Sequence, residues 1–108
     1  MKAITRDELK KRMDGGEDLP VVEVLAPQYY KKFHLPGAIN VPLGDDFEQQ
    51  IQKAVPDKNQ PVVVYCANKQ CPASSKAAKR MDELGYKEVY DYEEGKEGWK
   101  EAGLSVEG

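Results

Sequence analysis

Apolar positions follow two alternating rhythms along the chain: short continuous runs, and stripes with helical spacing. Leu9 and Met13 form the first stripe, entered through Thr5 and Glu8 at capping-box spacing and stopped at Gly15-Gly16. Val21 to Leu25, lying between Pro20 and Pro27, is a run of strand length interrupted only by Glu23. Pro27 suits the first turn of a short helix through Tyr29, Tyr30 and Phe33, which must end before Leu35-Pro36-Gly37. Ala38 to Val41 predicts a brief strand closed by Pro42. Phe47, Ile51 and Val55 then share one face of a helix that Asp45 and Asp46 can start. Val62-Val63-Val64-Tyr65 has no polar alternation, as expected of a central strand covered on both faces of a mainly parallel sheet. From Pro72 to Leu84, residues Ala73, Ala77, Ala78, Met81 and Leu84 recur at helical spacing, opposite Lys76, Lys79, Arg80, Asp82 and Glu83, with Gly85 as C-cap. A strand over Tyr86 to Tyr92 and a helix over Lys96 to Ala102, ended by Gly103, complete the order. Strands alternating with helices predict an α/β fold with an open, mainly parallel sheet, helices on both faces and one domain over residues 1–108.

Composition narrows the function classes. With 108 residues, 40% hydrophobic and 32% charged, the chain can bury a real core without a disulfide framework, which argues against disorder. Its 16 basic and 19 acidic residues give a net charge of -3 and form no long block of either sign, so nucleic acid is not an expected partner. No apolar run approaches the roughly 20 residues of a membrane-spanning helix. The first 20 residues, studded with Lys2, Arg6, Lys10 and Asp14, hold no signal-peptide core. The expectation is a cytoplasmic protein, or the mature form of an exported one, with no membrane partner.

The chemistry concentrates at Cys66. In open α/β sheets ligands collect at the carboxyl ends of strands, where loops lead into helix N-termini, and Cys66 directly follows the central strand. Ala67, Asn68, Lys69, Gln70 and Cys71 bridge it to a helix that Pro72 can open. A curled loop of this kind can turn backbone N–H groups inward as an anion cradle and so stabilise a thiolate. A helix terminus supplies about 0.3–1 kcal/mol, less than the roughly 1.4 kcal/mol of one pKa unit, so direct N–H hydrogen bonds are needed as well. Between Ala67 and Lys76 the only charged side chains are Lys69 and Lys76, with no carboxylate to oppose an anion. The competing reading is a buried, inert cysteine at a strand end. Two cysteines this close are too few and too local for a secreted disulfide scaffold.

The run His34-Leu35-Pro36-Gly37-Ala38-Ile39-Asn40-Val41-Pro42 resembles the early signature of rhodanese domains. Tyr65-Cys66, Ala77-Ala78, Leu84-Gly85-Tyr86, Val89, Glu94-Gly95, Trp99 and Ala102-Gly103 resemble the rest of that pattern in the same order. The resemblance covers essentially the whole chain. It implies a rhodanese-like fold and a sulfurtransferase in which Cys66 takes a sulfane sulfur from thiosulfate, polysulfide or a persulfide and passes it to a thiol or cyanide. The partners implied are small sulfur-donor anions, thiol acceptors and a sulfur-relay protein. No cofactor is called for, since the intermediate is a covalent persulfide on Cys66. The backbone amides of Cys66 to Cys71 would hold the terminal sulfur.

Several positions depart from the family pattern. Glu23-Val24-Leu25 stands where the family commonly has Asp and Arg, and Lys69 and Cys71 stand where its loop often has Gly and then Arg or Ser. If the loop curls as the family's does, Cys71 can reach Cys66 and act as a resolving thiol; otherwise it merely fills the place of that Arg or Ser. Lys69 can steer anionic donors or be simply solvated. His34, the only histidine, is placed by the resemblance in a structural turn, and Cys66, Cys71 and His34 are too few for a closed zinc site, so no metal is expected. Trp99 and the tyrosines at 29, 30, 86, 90 and 92 read as core or half-buried packing residues. Two other functions compete: a non-catalytic rhodanese-like binding or regulatory module, and a cysteine phosphatase or arsenate reductase. The latter needs an arginine where this chain has Pro72.

Overall fold

The computed structural model describes residues 1–108. The elements run β1 (Lys2–Ala3), α1 (Arg6–Asp14), β2 (Val21–Glu23), α2 (Pro27–Lys32), β3 (Ile39–Asn40), α3 (Phe47–Ala54), β4 (Val62–Tyr65), α4 (Ala73–Glu83), β5 (Val89–Tyr92) and α5 (Gly95–Glu101). All strand pairs are parallel, in the order β1-β5-β4-β2-β3. The mixed α/β reading with a central β4 therefore holds. No helix is long and apolar enough to cross a membrane.

Period-two alternation along β4 builds both layers of the core. Val62 and Val64 face one side, where they meet Phe47, Ile51 and Val55 of the α3 segment and Ala77, Ala78 and Met81 of α4. Val63 and Tyr65 face the other, with Leu9 of α1, Leu35, Tyr92 and Trp99 of α5. All four β4 residues are fully buried. At about 1.5–3 kcal/mol per buried large apolar side chain, β4 anchors the sheet, and its carboxyl end is held in place.

Several boundaries differ from the sequence reading. The edge strand β1 was invisible because Lys2-Ala3 is short, exposed and without an apolar pattern. α2 stops at Lys32, and Phe33 is already extended. The last strand begins at Val89, since Tyr86 turns instead to α3 and donates its hydroxyl to Val55 O at 2.6 Å. Tyr29 is exposed and does not pack in the core. α1 forms as expected, with the Thr5 and Glu8 capping box closed in both directions.

Candidate active site

Three elements converge on the loop after β4. Cys66 continues the β4 alternation, so its side chain joins the face covered by α3 and α4. α5 arrives from the other direction, and its first amides bind the loop: Lys96 N–H donates to Cys66 O at 3.0 Å and Glu97 N–H to Ala67 O at 2.9 Å. This close approach requires glycine at position 95. Its φ is +69°, and a Cβ there would lie 2.5 Å from Ala67 C and O and 2.6 Å from Asn68 N. Asn68 then shapes the turn, its Oδ1 accepting from the N–H groups of Gln70 at 3.1 Å and Cys71 at 3.2 Å. Its Nδ2 donates to Glu97 Oε1 at 3.1 Å, tying the loop to α5 a third time.

The two thiols are free and differ in environment. Cys66 is 1% exposed and directs Sγ–H toward Cys71 O at 3.4 Å and Ser74 Oγ at 3.6 Å. Burial pushes the Cys66 thiol up to about 11, Cys71 adds to the rise, and the Ser74 hydroxyl and amide oppose it. Cys71 is half-buried. Burial raises it too, but hydrogen bonding from Cys66 and from the Ala67 and Ala73 amides outweighs that and leaves its thiol lowered.

Two features of the site come from the tertiary structure alone. The amides of Gln70 and Cys71 do not face the sulfur, because the Asn68 carboxamide takes both; the amides acting on the thiols are those of Ala67, Ala73 and Ser74. The loop itself has no carboxylate, but the cleft gains two from outside it. Asp91 of β5 and Glu93 just after it line the same cleft as Lys69, Gln70, Cys71 and Ser74. Lys69 is exposed and also borders a second cleft with Arg6, Glu94, Glu97 and Glu101, so acidic neighbours offset its charge.

Elsewhere the packing roles are plain. His34 stacks on Tyr30 with ring centroids 3.8 Å apart, its Nδ1 lies 2.8 Å from Tyr30 O, and its backbone bridges Glu107. No group of three or more His, Cys, Asp or Glu side chains is arranged to hold a metal. Trp99 is 1% exposed, packs edge-on against Tyr92 and donates Nε1–H to Ser105 O at 2.9 Å.

The buried pair Glu23 and Lys96 escaped the sequence reading. Lys96 Nζ lies 3.1 Å from Glu23 Oε2 and donates to Tyr29 O at 2.6 Å and Phe33 O at 2.9 Å. Tyr65 donates its hydroxyl to Glu23 Oε1 at 2.9 Å and accepts from Leu35 N–H at 3.1 Å. An acidic residue inside the apolar run Val21 to Leu25 was a signal that a buried partner must exist, but nothing local named it.

The family profile described as a rhodanese-like domain matches residues 5–102. The chain is 32% identical over 105 residues to an HTH-type transcriptional regulator of Mycobacterium tuberculosis, an overlap of 97% of this chain and 44% of that protein. It is 42% identical over 69 residues to the thiosulfate sulfurtransferase PspE of Escherichia coli, covering 63% of this chain and 62% of that one. The crystal structure of the BH2092 protein from Bacillus halodurans superposes with a TM-score of 0.89 and 28% identity, over 99% of this chain and 77% of that one. A parallel sheet whose central strand ends in a cysteine loop beneath a helix N-terminus defines a class, and the chain belongs to it: the rhodanese-like domain family. It spans 44% and 62% of the lengths of the two curated relatives.

Proposed function

We propose that the chain is a sulfurtransferase that carries sulfane sulfur as a persulfide on Cys66. The observation that carries this reading is the placement of Cys66: at the carboxyl end of the central strand, under the first turn of α4, inside a loop clamped by α5. The Cys66 thiolate attacks the sulfane sulfur of thiosulfate, a new S–S bond forms, the donor's S–S bond breaks, and sulfite leaves with the electron pair. A thiolate or cyanide then attacks the outer sulfur and Cys66 leaves as thiolate. Polysulfides, persulfides and a sulfur-relay protein serve the same chemistry as donors or acceptors. Likeness to a thiosulfate sulfurtransferase supports the reaction class.

A second reading is a sulfur-sensing module within a longer regulator, which likeness to a transcriptional regulator over 97% of the chain favours. Turnover separates the two. Intact mass after thiosulfate or polysulfide should rise by one sulfur atom, cyanide should remove it, and Cys66→Ser should abolish the gain without unfolding the protein. Loading in Cys66→Ser would refute the assignment of the sulfur to Cys66. Loading without transfer to cyanide or thiols would favour the sensor.

A further inference from the structure

The buried thiol sets a problem that the loop does not solve. A thiol pushed up to about 11 is held almost wholly protonated at neutral pH. The reaction needs thiolate, and Cys66 is 1% exposed, so bulk water is poorly placed to take its proton.

The side chain that faces the thiol is Ser74, itself 3% exposed. By accepting from Cys66, the Ser74 hydroxyl keeps its own hydrogen available for donation. Asp91 is the acceptor beside it. Asp91 is 4% exposed, pairs in register with Val64, shares the face of β5 that carries Val89, and lines the cleft with Ser74. Its Oδ1 has no hydrogen-bond partner. A carboxylate oxygen buried without a partner costs stability and calls for a reason. Burial pushes the Asp91 carboxyl up, the Ser74 hydroxyl opposes this, and Glu93 adds to the rise. Ser74 and Asp91 close no hydrogen bond of ordinary geometry in the resting form; such contacts commonly tighten only in the reacting complex. The groups facing Asp91 are thus Ser74 from α4, Cys71 and Lys69 from the loop, and Glu93 from just beyond its own strand.

We propose that Ser74 and Asp91 form the proton path of Cys66, the Cys66 proton passing to Ser74 Oγ as the Ser74 hydroxyl proton passes to Asp91. Its part in sulfur loading rests on the persulfide reading of Cys66. As Sγ bonds to the sulfane sulfur and the donor's S–S bond breaks, sulfite leaves with the electron pair and Asp91 is left neutral. When an acceptor draws the sulfur off, the proton returns along the same path to the released Cys66 thiolate.

Alkylation of Cys66 by iodoacetamide as a function of pH tests the path without any sulfur donor. Tryptic cleavage after Lys69 separates Cys66 from Cys71, so mass spectrometry reads both rates in the intact chain. In the wild type the Cys66 rate should follow the ionisation of Asp91 and turn flat above it, because Asp91 accepts the proton once it is ionised. In Asp91→Asn and in Ser74→Ala the rate at pH 7 should fall about 100-fold, the scale of general-base assistance. It should then climb about tenfold per pH unit toward 11, as for a thiol titrating alone. Ser74→Ala removes only one hydroxyl and keeps the test decisive if Asp91→Asn unfolds. An unchanged Cys66 profile in the folded variants overturns the proposal, as does a loss seen only in Cys71→Ser. A wild type that shows the flat profile but takes up no sulfur from thiosulfate or polysulfide overturns the sulfurtransferase reading and leaves the path standing.

Discussion

Cys66 and Cys71 are the same residue type in one loop, yet burial dominates at one and hydrogen bonding at the other, which gives them different chemistry. Cys66 is 1% exposed and its thiol is raised, whereas Cys71 borders the cleft and is lowered. A second thiol five residues along the same loop is the candidate to resolve a Cys66 persulfide. Attack of the Cys71 thiolate on the inner sulfur of a Cys66 persulfide forms the Cys66–Cys71 disulfide and expels hydrosulfide with the electron pair. After sulfur loading and thiol blocking, the wild type is expected to show that disulfide and released sulfide, and Cys71→Ser neither. A stable persulfide with Cys71 still open to alkylation would mean that Cys66 acts alone. Lys69 stands among carboxylates, since Glu93, Glu94 and Glu97 border the clefts it lines.

At the scale of elements, α5 does for the loop what a lining side chain cannot: it clamps the backbone. The carbonyls of Cys66 and Ala67 accept from its first amides, which leaves the Ala67 amide for the Cys71 thiol. That approach depends on Gly95. In Gly95→Ala the left-handed φ alone costs about 1–2 kcal/mol, and the methyl group would overlap the Ala67–Asn68 peptide. We expect a lower melting temperature together with a changed ratio of Cys66 to Cys71 alkylation, since the peptide that must move carries the loop. Unchanged melting and an unchanged ratio would show that the clamp has slack. The length of β4 was readable because four consecutive apolar residues have one explanation in a doubly covered sheet. β1 was not, because an edge strand of two exposed residues has no pattern to read.

Across the whole molecule, the buried Glu23–Lys96 pair joins the sheet, the start of α5 and the segment after α2. Its value lies in where it holds these parts, since burying two charges offsets much of their attraction. Lys96→Met should destabilise the fold by about 3–5 kcal/mol, the cost of leaving one buried charge unpaired. Adding Glu23→Leu should restore a large part of that, as measured by chemical denaturation. If the single variant unfolds at the wild-type midpoint, Glu23 has found water or a proton instead.

Local information decided much of this protein. Capping at Thr5 and Glu8, the helical stripe from Ala73 to Leu84 and the unbroken Val62–Tyr65 run depend on neighbours within a turn or a strand, so the sequence alone determined the α/β class and put Cys66 at a strand end. Tertiary structure decided what surrounds that cysteine. Asp91 comes to the cleft beside Cys71 and Ser74 through the β4–β5 pairing, Gly95 to the Ala67–Asn68 backbone through the return of α5, and Lys96 meets Glu23 across 73 residues of chain. The Asn68 carboxamide, which takes the amides of Gln70 and Cys71, does so only in the particular turn the loop adopts. The physical reason is range: periodicity and capping are settled by contacts between near neighbours, whereas the field and solvation at a buried thiol are set by whichever distant segments the topology packs against it.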